Sequence, residues 1–326
     1  MEHKEELAQY RGLNVIVTGG AGFIGSHLVK RLAELGANVT IIDNYLKGNK
    51  LENVEKKRNI KVYKRDVTRY REIAPLFRRK HLLFHLAAVV GVEETQSDPL
   101  EVLDVEIEGT INVLKLAVKH HLKRIIFASS SEVYGDSEKP MVEDDDLNPK
   151  STYAVTKLVV EDYCKAYYKR YGLDYTLLRY FNSYGPWQDK RFVISRFIEQ
   201  CYKNKPIIIY GDGKQTRDFT YIDDSINMTL IAAIREETKC QAINIGTGVA
   251  VSIKELADLT TSATGNKSLE PIYMNYGGYR PLEIEIFNRT ADITRAKELL
   301  DYEPRVALKN GIQHYIDWYI KKRNNL

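Results

Sequence analysis

Val15-Ile-Val-Thr-Gly-Gly-Ala-Gly-Phe-Ile-Gly25 joins a short β-branched, apolar run to a cluster of closely spaced glycines. Gly19, Gly22 and Gly25 predict a sharp turn, a close approach of backbone amides to a phosphate, and tight packing of the following helix on the strand. The amides at the N-terminus of such a helix carry partial positive charge. The stretch therefore predicts a strand, a turn and a helix that hold the pyrophosphate of a dinucleotide, with Phe23 and Ile24 among the contacts.

The residues that follow agree with this prediction. Leu28, Leu32 and Leu35 fall at helical spacing, and residues 38–42 have the pattern of a second strand. Asp43 comes directly after that strand, where a carboxylate accepts hydrogen bonds from the ribose hydroxyls of NAD and repels the additional phosphate of NADP. We therefore predict NAD as the cofactor.

The composition is that of an ordinary globular chain: 326 residues, 44% of them hydrophobic and 28% charged. The 48 basic and 44 acidic residues leave a net charge of +4, which is too small and too scattered to indicate nucleic acid binding. The N-terminus is charged and no apolar stretch is as long as a membrane span, so neither secretion nor a membrane is expected. Cys164, Cys201 and Cys240 lie far apart, which predicts no metal site or disulfide and suits a cytoplasmic protein.

Predicted strands and helices alternate along the first half of the chain. The strands are expected at 13–18, 38–42, 60–64, 82–86, 124–129 and 174–179, and the helices at 23–35, 70–78, 99–120 and 151–171. This alternation predicts an α/β fold with a Rossmann-type, doubly wound parallel sheet. After about residue 180 the alternation weakens, and glycines punctuate shorter elements. We therefore predict a Rossmann domain over 1–180 and a smaller α/β substrate lobe formed mainly by 181–326, with the chain crossing between them.

Further strand ends add candidate contacts to the cofactor, because ligands gather at the carboxyl ends of parallel strands. Acidic and small residues follow the second, third and fourth predicted strands, as an adenine and a flat nicotinamide would require. These candidates are Asn44, Asp66, Val67, Leu86, Ala87 and Ala88.

The predicted chemistry lies in Ser129-Ser-Ser-Glu-Val-Tyr-Gly135 and in Tyr153-Ala-Val-Thr-Lys157 on the following helix. Positions 153 and 157 share a helix face. A phenol is a poor base at neutral pH, but a nearby ammonium and an oxidised nicotinamide lower its pKa. Tyr153 would deprotonate a sugar hydroxyl, Lys157 would hold the phenolate and the nicotinamide ribose, and Ser130 would donate or relay a hydrogen bond. Ser129, Tyr153 and Lys157 are also predicted to contact the cofactor.

With these motifs the chain resembles an extended short-chain dehydrogenase/reductase, in the branch of NAD-dependent nucleotide-sugar epimerases, dehydratases and decarboxylases. The matching segments are TGGAGFIG, HLAA, SSSEVYG, YAVTK, RYFNSYGP, TRDFTYIDD, and RPLE followed by AD. The resemblance implies a cofactor that stays bound and is reduced and reoxidised within one turnover. It also implies a nucleotide-diphosphate sugar between the lobes, and a homodimer formed through the helices at 99–120 and 151–171. The apolar faces of these helices could equally be intramolecular core.

Further site residues are implied by the resemblance position by position. They are Asn182, Arg217 and Arg280 for the pyrophosphate of the sugar nucleotide, Val193 and Tyr210 for the nucleobase, and Tyr180 for the nicotinamide. A guanidinium suits phosphate. Each of these residues has the alternative of being ordinary core or part of a surface ion pair.

Two departures from the family pattern stand out. Relatives commonly have asparagine in V-N-x-x-G-T, whereas this chain has Glu106 at that position. A carboxylate cannot donate the amide hydrogen bond, so the bracing near the cofactor must differ here. The second departure is that the usual R-P-G-D or R-P-G-E becomes Arg280-Pro-Leu-Glu283.

Glu132 directs the prediction of the reaction. Hydride loss from C4 creates a ketone that acidifies the hydrogen on C5, so a carboxylate can remove it and expel the C6 hydroxyl as water. The S-E-V-Y segment resembles GDP-mannose dehydratases and UDP-glucuronate decarboxylases. We therefore predict a nucleotide-sugar dehydratase, with UDP-N-acetylglucosamine as the substrate by analogy. Ser131 is a poor acid, so Glu132 or a further residue would protonate the leaving group, and hydride would return to either C6 or C4.

Three alternatives stay open at this point. Epimerisation at C4 of UDP-glucose or UDP-N-acetylglucosamine needs no such base, and Glu132 would then merely border the pocket. Oxidative decarboxylation of UDP-glucuronate is less attractive, because the sequence identifies no dedicated cation for a uronate carboxylate. A non-catalytic NAD-sensing protein would be expected to lose Tyr153, Lys157 or the serines, and all are present.

Overall fold

The computed structural model describes residues 3–52, 54–89, 98–265, 270–276 and 284–324. Its strands are β1 (Asn14–Thr18), β2 (Asn38–Asp43), β3 (Ile60–Lys64), β4 (Leu82–His85), β5 (Arg124–Ser130), β6 (Asp174–Tyr180), β7 (Asn182–Tyr184), β8 (Ile208–Tyr210), β9 (Thr216–Tyr221), β10 (Gln241–Ile245), β11 (Ala250–Ser252) and β12 (Ile272–Met274). Its α-helices are α1 (Lys4–Leu7), α2 (Phe23–Glu34), α3 (Tyr70–Ile73), α4 (Pro99–Leu103), α5 (Gly109–Lys119), α6 (Thr152–Tyr171), α7 (Val193–Tyr202), α8 (Ile222–Ile234), α9 (Ile253–Thr264), α10 (Thr294–Leu300) and α11 (Leu308–Asn324).

The main sheet has seven strands in the order β10-β6-β5-β4-β1-β2-β3, and every pairing in it is parallel. This arrangement confirms the predicted Rossmann-type α/β fold, and the six predicted strands end within a residue of the observed ones. The seventh strand, β10, comes from beyond residue 180, so the chain returns to the main sheet after forming β7, β8 and β9. The remaining strands of the described residues form two small sheets, β11-β9-β7 and β12-β8. The division into two domains stays a prediction.

Two predicted helices are interrupted. The helix expected at 70–78 becomes α3 followed by a 3-10 turn over Ala74–Phe77, where Pro75 has no amide hydrogen to donate. The helix expected at 99–120 divides into α4, a π-helical segment over Asp104–Glu108, and α5. Segments of this kind often occur at functional sites.

Both faces of the main sheet are buried. Along β1, Val15 and Val17 pack into one apolar cluster with residues of α2 and α8, while Ile16 packs into a second with residues of α5 and α6. This alternation follows from the two-residue period of a strand. Because helices cover both faces of the sheet, a ligand can reach the strands at the edge formed by their carboxyl ends.

Two glycines allow backbone segments to approach one another closely at that edge, directly after β1. Gly19 has φ +70°, and a Cβ built there would lie 2.6 Å from the amide nitrogen of Ala87, which follows β4. A Cβ on Gly25 would lie 2.1 Å from the carbonyl oxygen of Gly19. The predicted close packing of helix on strand therefore depends on these two positions.

Across the described ranges, no helix combines the length and the apolar character needed to cross a membrane.

Candidate active site

A cavity of about 330 Å³ opens at the carboxyl ends of β1, β2, β4, β5 and β6. It brings together most of the residues that the sequence predicts for the cofactor and the chemistry. Those that line it are Gly19, Gly22, Phe23, Ile24, Gly25, Asp43, Asn44, Asp66, Val67, Leu86, Ala87, Ala88, Ser130, Ser131, Glu132, Tyr153, Lys157, Tyr180, Asn182 and Val193. Parallel strands place these distant segments at one edge.

The β1–α2 end of the cavity fits a dinucleotide. Helix α2 begins after Gly22 with no side chain capping it, so the glycine turn presents the helix N-terminus to the cavity. Asp43 is held in place by the amides of Ala21 and Tyr45, which donate to Oδ2 at 2.8 Å and to Oδ1 at 2.7 Å. Burial raises the pKa of this carboxyl, and the two amides oppose that shift. These residues suit the pyrophosphate and a ribose of NAD.

Tyr153 and Lys157 lie together at the other end, on α6. The Lys157 ammonium is 2% exposed and lies 5.4 Å from the centroid of the Tyr153 ring. Desolvation inside the cavity raises the pKa of Tyr153 well above its usual range, and the charges of Glu106 and Glu132 raise it further. The hydrogen bond with Ser130 lowers it, so the predicted serine contact to the phenol is present.

Among the described residues, Ser151 and Arg289 hold Glu132 in place. The Ser151 hydroxyl donates to Glu132 Oε2 at 3.2 Å, and Arg289 Nη1 lies 3.3 Å from Glu132 Oε1. Arg289 is 6% exposed at its side chain and lines the same cavity. The cavity therefore holds a buried cation beside the predicted carboxylate base.

Sequence reasoning missed Arg289. The sequence motif that lies closest to it along the chain is the Ala291-Asp292 pair, which forms part of the family resemblance. In the structure Ala291 bridges to Met141, and this contact brings the segment back to the end of β5. Lys47, Lys50 and Arg191 were missed too, although they bring further positive charge to the cavity.

Several predicted residues lie elsewhere. The Ser129 hydroxyl donates to Glu161 at 2.5 Å, within a buried cluster behind the cavity, and is not part of its lining. Arg217 pairs with Glu285 at 2.6 Å, and Tyr210 lies against the Arg196 guanidinium; neither lines the cavity. The predicted pyrophosphate contact Arg280 lies outside the described residues.

Residues 15–246 match the family model described as the NAD dependent epimerase/dehydratase family. The chain belongs to the NAD-dependent epimerase/dehydratase family. A UDP-N-acetyl-alpha-D-glucosaminuronate decarboxylase of Bacillus cytotoxicus is 37% identical, with 95% of this chain and 98% of that protein covered. A putative UDP-glucose 4-epimerase of Methanocaldococcus jannaschii is 38% identical, with 95% and 99% covered.

Solved structures agree with this membership. A variant of the UDP-glucuronic acid 4-epimerase from Bacillus cereus, in complex with NAD and UDP-4-deoxy-4-fluoro-glucuronic acid, has a TM-score of 0.89 and 31% identity. The match covers 95% of this chain and 100% of that one. The family confirms the predicted resemblance and NAD as the cofactor. The protein is therefore an NAD-dependent enzyme of the nucleotide-sugar epimerase and decarboxylase type.

Proposed function

We propose that the protein decarboxylates a UDP-linked uronate, such as UDP-N-acetylglucosaminuronate, after transient oxidation at C4. The observation that carries this proposal is the buried Arg289 guanidinium, 3.3 Å from Glu132 in the cavity that also holds Tyr153. The relative from Bacillus cytotoxicus is named for this activity on this substrate.

A buried cation suits a substrate that brings its own carboxylate. An arginine presents a planar fork of donors that matches the two oxygens of a carboxylate, and burial strengthens such a bond. The C6 carboxylate of a uronate sits on C5, next to the C4 hydroxyl that Tyr153 would deprotonate. A guanidinium close to Tyr153 is therefore in a suitable place to bind it.

The chain's own residues account for the remaining steps. Tyr153 takes the proton of the C4 hydroxyl, and C4 becomes a ketone. NAD, when bound, would accept the C4 hydride and return it to C4 after CO2 has left, as Tyr153 gives the proton back. The bond from C5 to the carboxyl carbon then breaks and releases CO2, and its electron pair moves to the C4 oxygen. Tyr153 and Ser130 stabilise that oxyanion by hydrogen bonds. Glu132 lines the same cavity and handles the proton that C5 must regain.

The sequence alone identified no cation that could bind a uronate carboxylate, and Arg289 is a candidate for that role. The predicted dehydration at C6 shares the first oxidation and Glu132, and it stays a prediction, as does UDP-N-acetylglucosamine as its substrate. Epimerisation at C4 also shares the first step, and relatives named as 4-epimerases are well represented. Decarboxylation removes CO2 from the sugar, dehydration removes water, and epimerisation leaves the mass unchanged.

Mass spectrometry after incubation with a panel of UDP-hexoses, UDP-N-acetylhexosamines and UDP-uronates distinguishes them. We expect a uronate to lose the mass of CO2. Loss of the mass of water from a UDP-hexose or UDP-N-acetylhexosamine would show the dehydratase instead. An unchanged mass with an altered NMR spectrum would show an epimerase, and either result would contradict the proposal.

The arginine is tested by replacing Arg289 with Met. We expect kcat/KM for the uronate to fall about 100-fold, since a charge-assisted bond to a buried carboxylate is lost. Arg295, which pairs with Asp144 outside the cavity lining, provides the matched control, and R295M should retain full activity. An equal loss in both variants would mean that Arg289 does not recognise the carboxylate.

We infer, in addition, that the protein is a homodimer. Leu100 on α4 is 70% exposed and Val155 on α6 is 42% exposed, and these two helices pack against each other. A second copy of the chain would remove this apolar surface from water.

A further inference from the structure

Glu106 stands where many relatives have an asparagine, and it has no part in the reaction steps given above. Its carboxylate is 1% exposed, and Oε2 lies 2.9 Å from Lys157 Nζ. The catalytic lysine therefore forms a buried ion pair with a residue that is an asparagine in many relatives.

The backbone around Glu106 is fixed. Glu106 lies within the π-helical segment, and its carbonyl oxygen accepts a hydrogen bond from the Thr110 hydroxyl. That hydroxyl also lies 3.1 Å from Nε2 of His85, at the end of β4. The segment is thus tied to the sheet edge where the cavity opens.

The pairing changes the electrostatics of the catalytic site. In a Tyr-Lys pair, the ammonium stabilises the phenolate. A carboxylate at ion-pair distance offsets that charge, and the offset is strong because both groups are buried. Glu106 is accordingly among the groups that raise the pKa of Tyr153.

Other charged groups face the same pair. Among the described residues they are Glu132 and Arg289, which line the same cavity, and His85 at the end of β4. Burial lowers the pKa of His85 to about 3, so its ring is neutral at physiological pH. Among these groups, Glu106 is the one in ion-pair contact with Lys157.

We propose that Glu106 is a positioning residue that holds the Lys157 ammonium, offsets its charge, and so sets the pH range in which Tyr153 acts as a base. The proposal rests on the family's Tyr-Lys pair and is independent of which UDP-sugar is the substrate. If Glu106 had a structural role only, replacing it would change the amount of folded enzyme but not the pH dependence of kcat.

The direction of the effect follows from the charges. Without the Glu106 charge, the Lys157 ammonium acts on the phenol in full, so phenolate forms at lower pH. The acid limb of the kcat profile should therefore move to lower pH.

The variants are E106Q and E106N, the latter restoring the amide that relatives commonly have. We expect the acid limb of the kcat profile to shift down by about one pH unit, as for the loss of a charge a few ångströms away. E108Q makes the same change on an exposed residue two positions along, and its profile should match the wild type. E106D keeps the charge and should restore most of the wild-type profile. A profile that is only scaled in height in E106Q and E106N would overturn the proposal.

A second measurement needs neither substrate nor turnover. NMR of the NAD-bound protein with ¹³C-labelled tyrosine, assigned by comparison with Y153F, follows the ionisation of Tyr153 directly. We expect its titration to begin at lower pH in E106Q than in the wild type. An unchanged titration would refute the role of Glu106, whereas a wrong proposal about the substrate would leave this result untouched.

Discussion

Tyr153 shows why single side chains in this cavity depend on their neighbours. Its phenol is desolvated and faces the carboxylates of Glu106 and Glu132, so in the cofactor-free protein it is held in the protonated form. Arg289 and Ser130 act in the opposite direction. The positive nicotinamide ring of bound NAD adds to that opposing effect, which is how a phenol can become a base near neutral pH.

At this scale we predict the effect of replacing Tyr153 with Phe. Turnover should fall by about 100-fold to 10,000-fold, as for the loss of a general base, while the Kd for NAD measured by calorimetry changes little. Tyr163 lies on the same helix but does not line the cavity, so Y163F should retain activity. Normal turnover by the Y153F variant would refute the assignment of this base.

The site residues that could be predicted from the sequence are those with a local signal. Gly19, Gly22 and Gly25 follow a strand and precede a helix, and Tyr153 and Lys157 are four apart on one helix face. Arg217 and Tyr210 were carried over from the family pattern, and the structure places them outside the cavity lining. Their contacts depend on how the strands and helices after residue 180 pack together, which local spacing does not encode.

Among the elements, α6 couples helix stability to catalysis. Ser151 caps its N-terminus by accepting a hydrogen bond from the Ala154 amide at 3.1 Å, and the same hydroxyl donates to Glu132. One side chain therefore starts the helix that carries Tyr153 and holds the carboxylate of Glu132.

We predict that S151A lowers both stability and turnover. Losing the cap should cost about 1 kcal/mol in the free energy of unfolding, measured with urea. Ser252 caps α9 in a capping box outside the cavity lining, so S252A should cost a similar amount without changing kcat. If kcat falls equally in the two variants, Ser151 has no role beyond that of a cap.

At the scale of the whole molecule, the exposed apolar surface on α4 and α6 determines the expected assembly. Leu100 and Val155 are large apolar side chains in solvent, and they lie on two helices that pack against each other. A second copy that covers them would also stiffen the helix that carries Tyr153 and Lys157.

We predict that analytical ultracentrifugation gives the mass of two chains of 37.5 kDa each. V155D should shift the equilibrium towards the monomer, because a carboxylate would have to be buried without a partner. V249D makes the same change at another exposed valine, on the β10–β11 connection, and should leave the assembly intact. A wild-type protein that sediments as a single chain would contradict the dimer.

The sequence by itself determined the alternation of strands and helices, the glycine turn for NAD, and the spacing of Tyr153 and Lys157, because each depends on neighbours within a few residues. Only the tertiary structure decided that β10 completes the sheet, that Arg289 lies beside Glu132, and that Glu106 pairs with Lys157. These contacts join residues from separate elements, and their distances are set by the path of the chain and the packing of the core. A charge pattern in one segment cannot specify which distant charge it will meet.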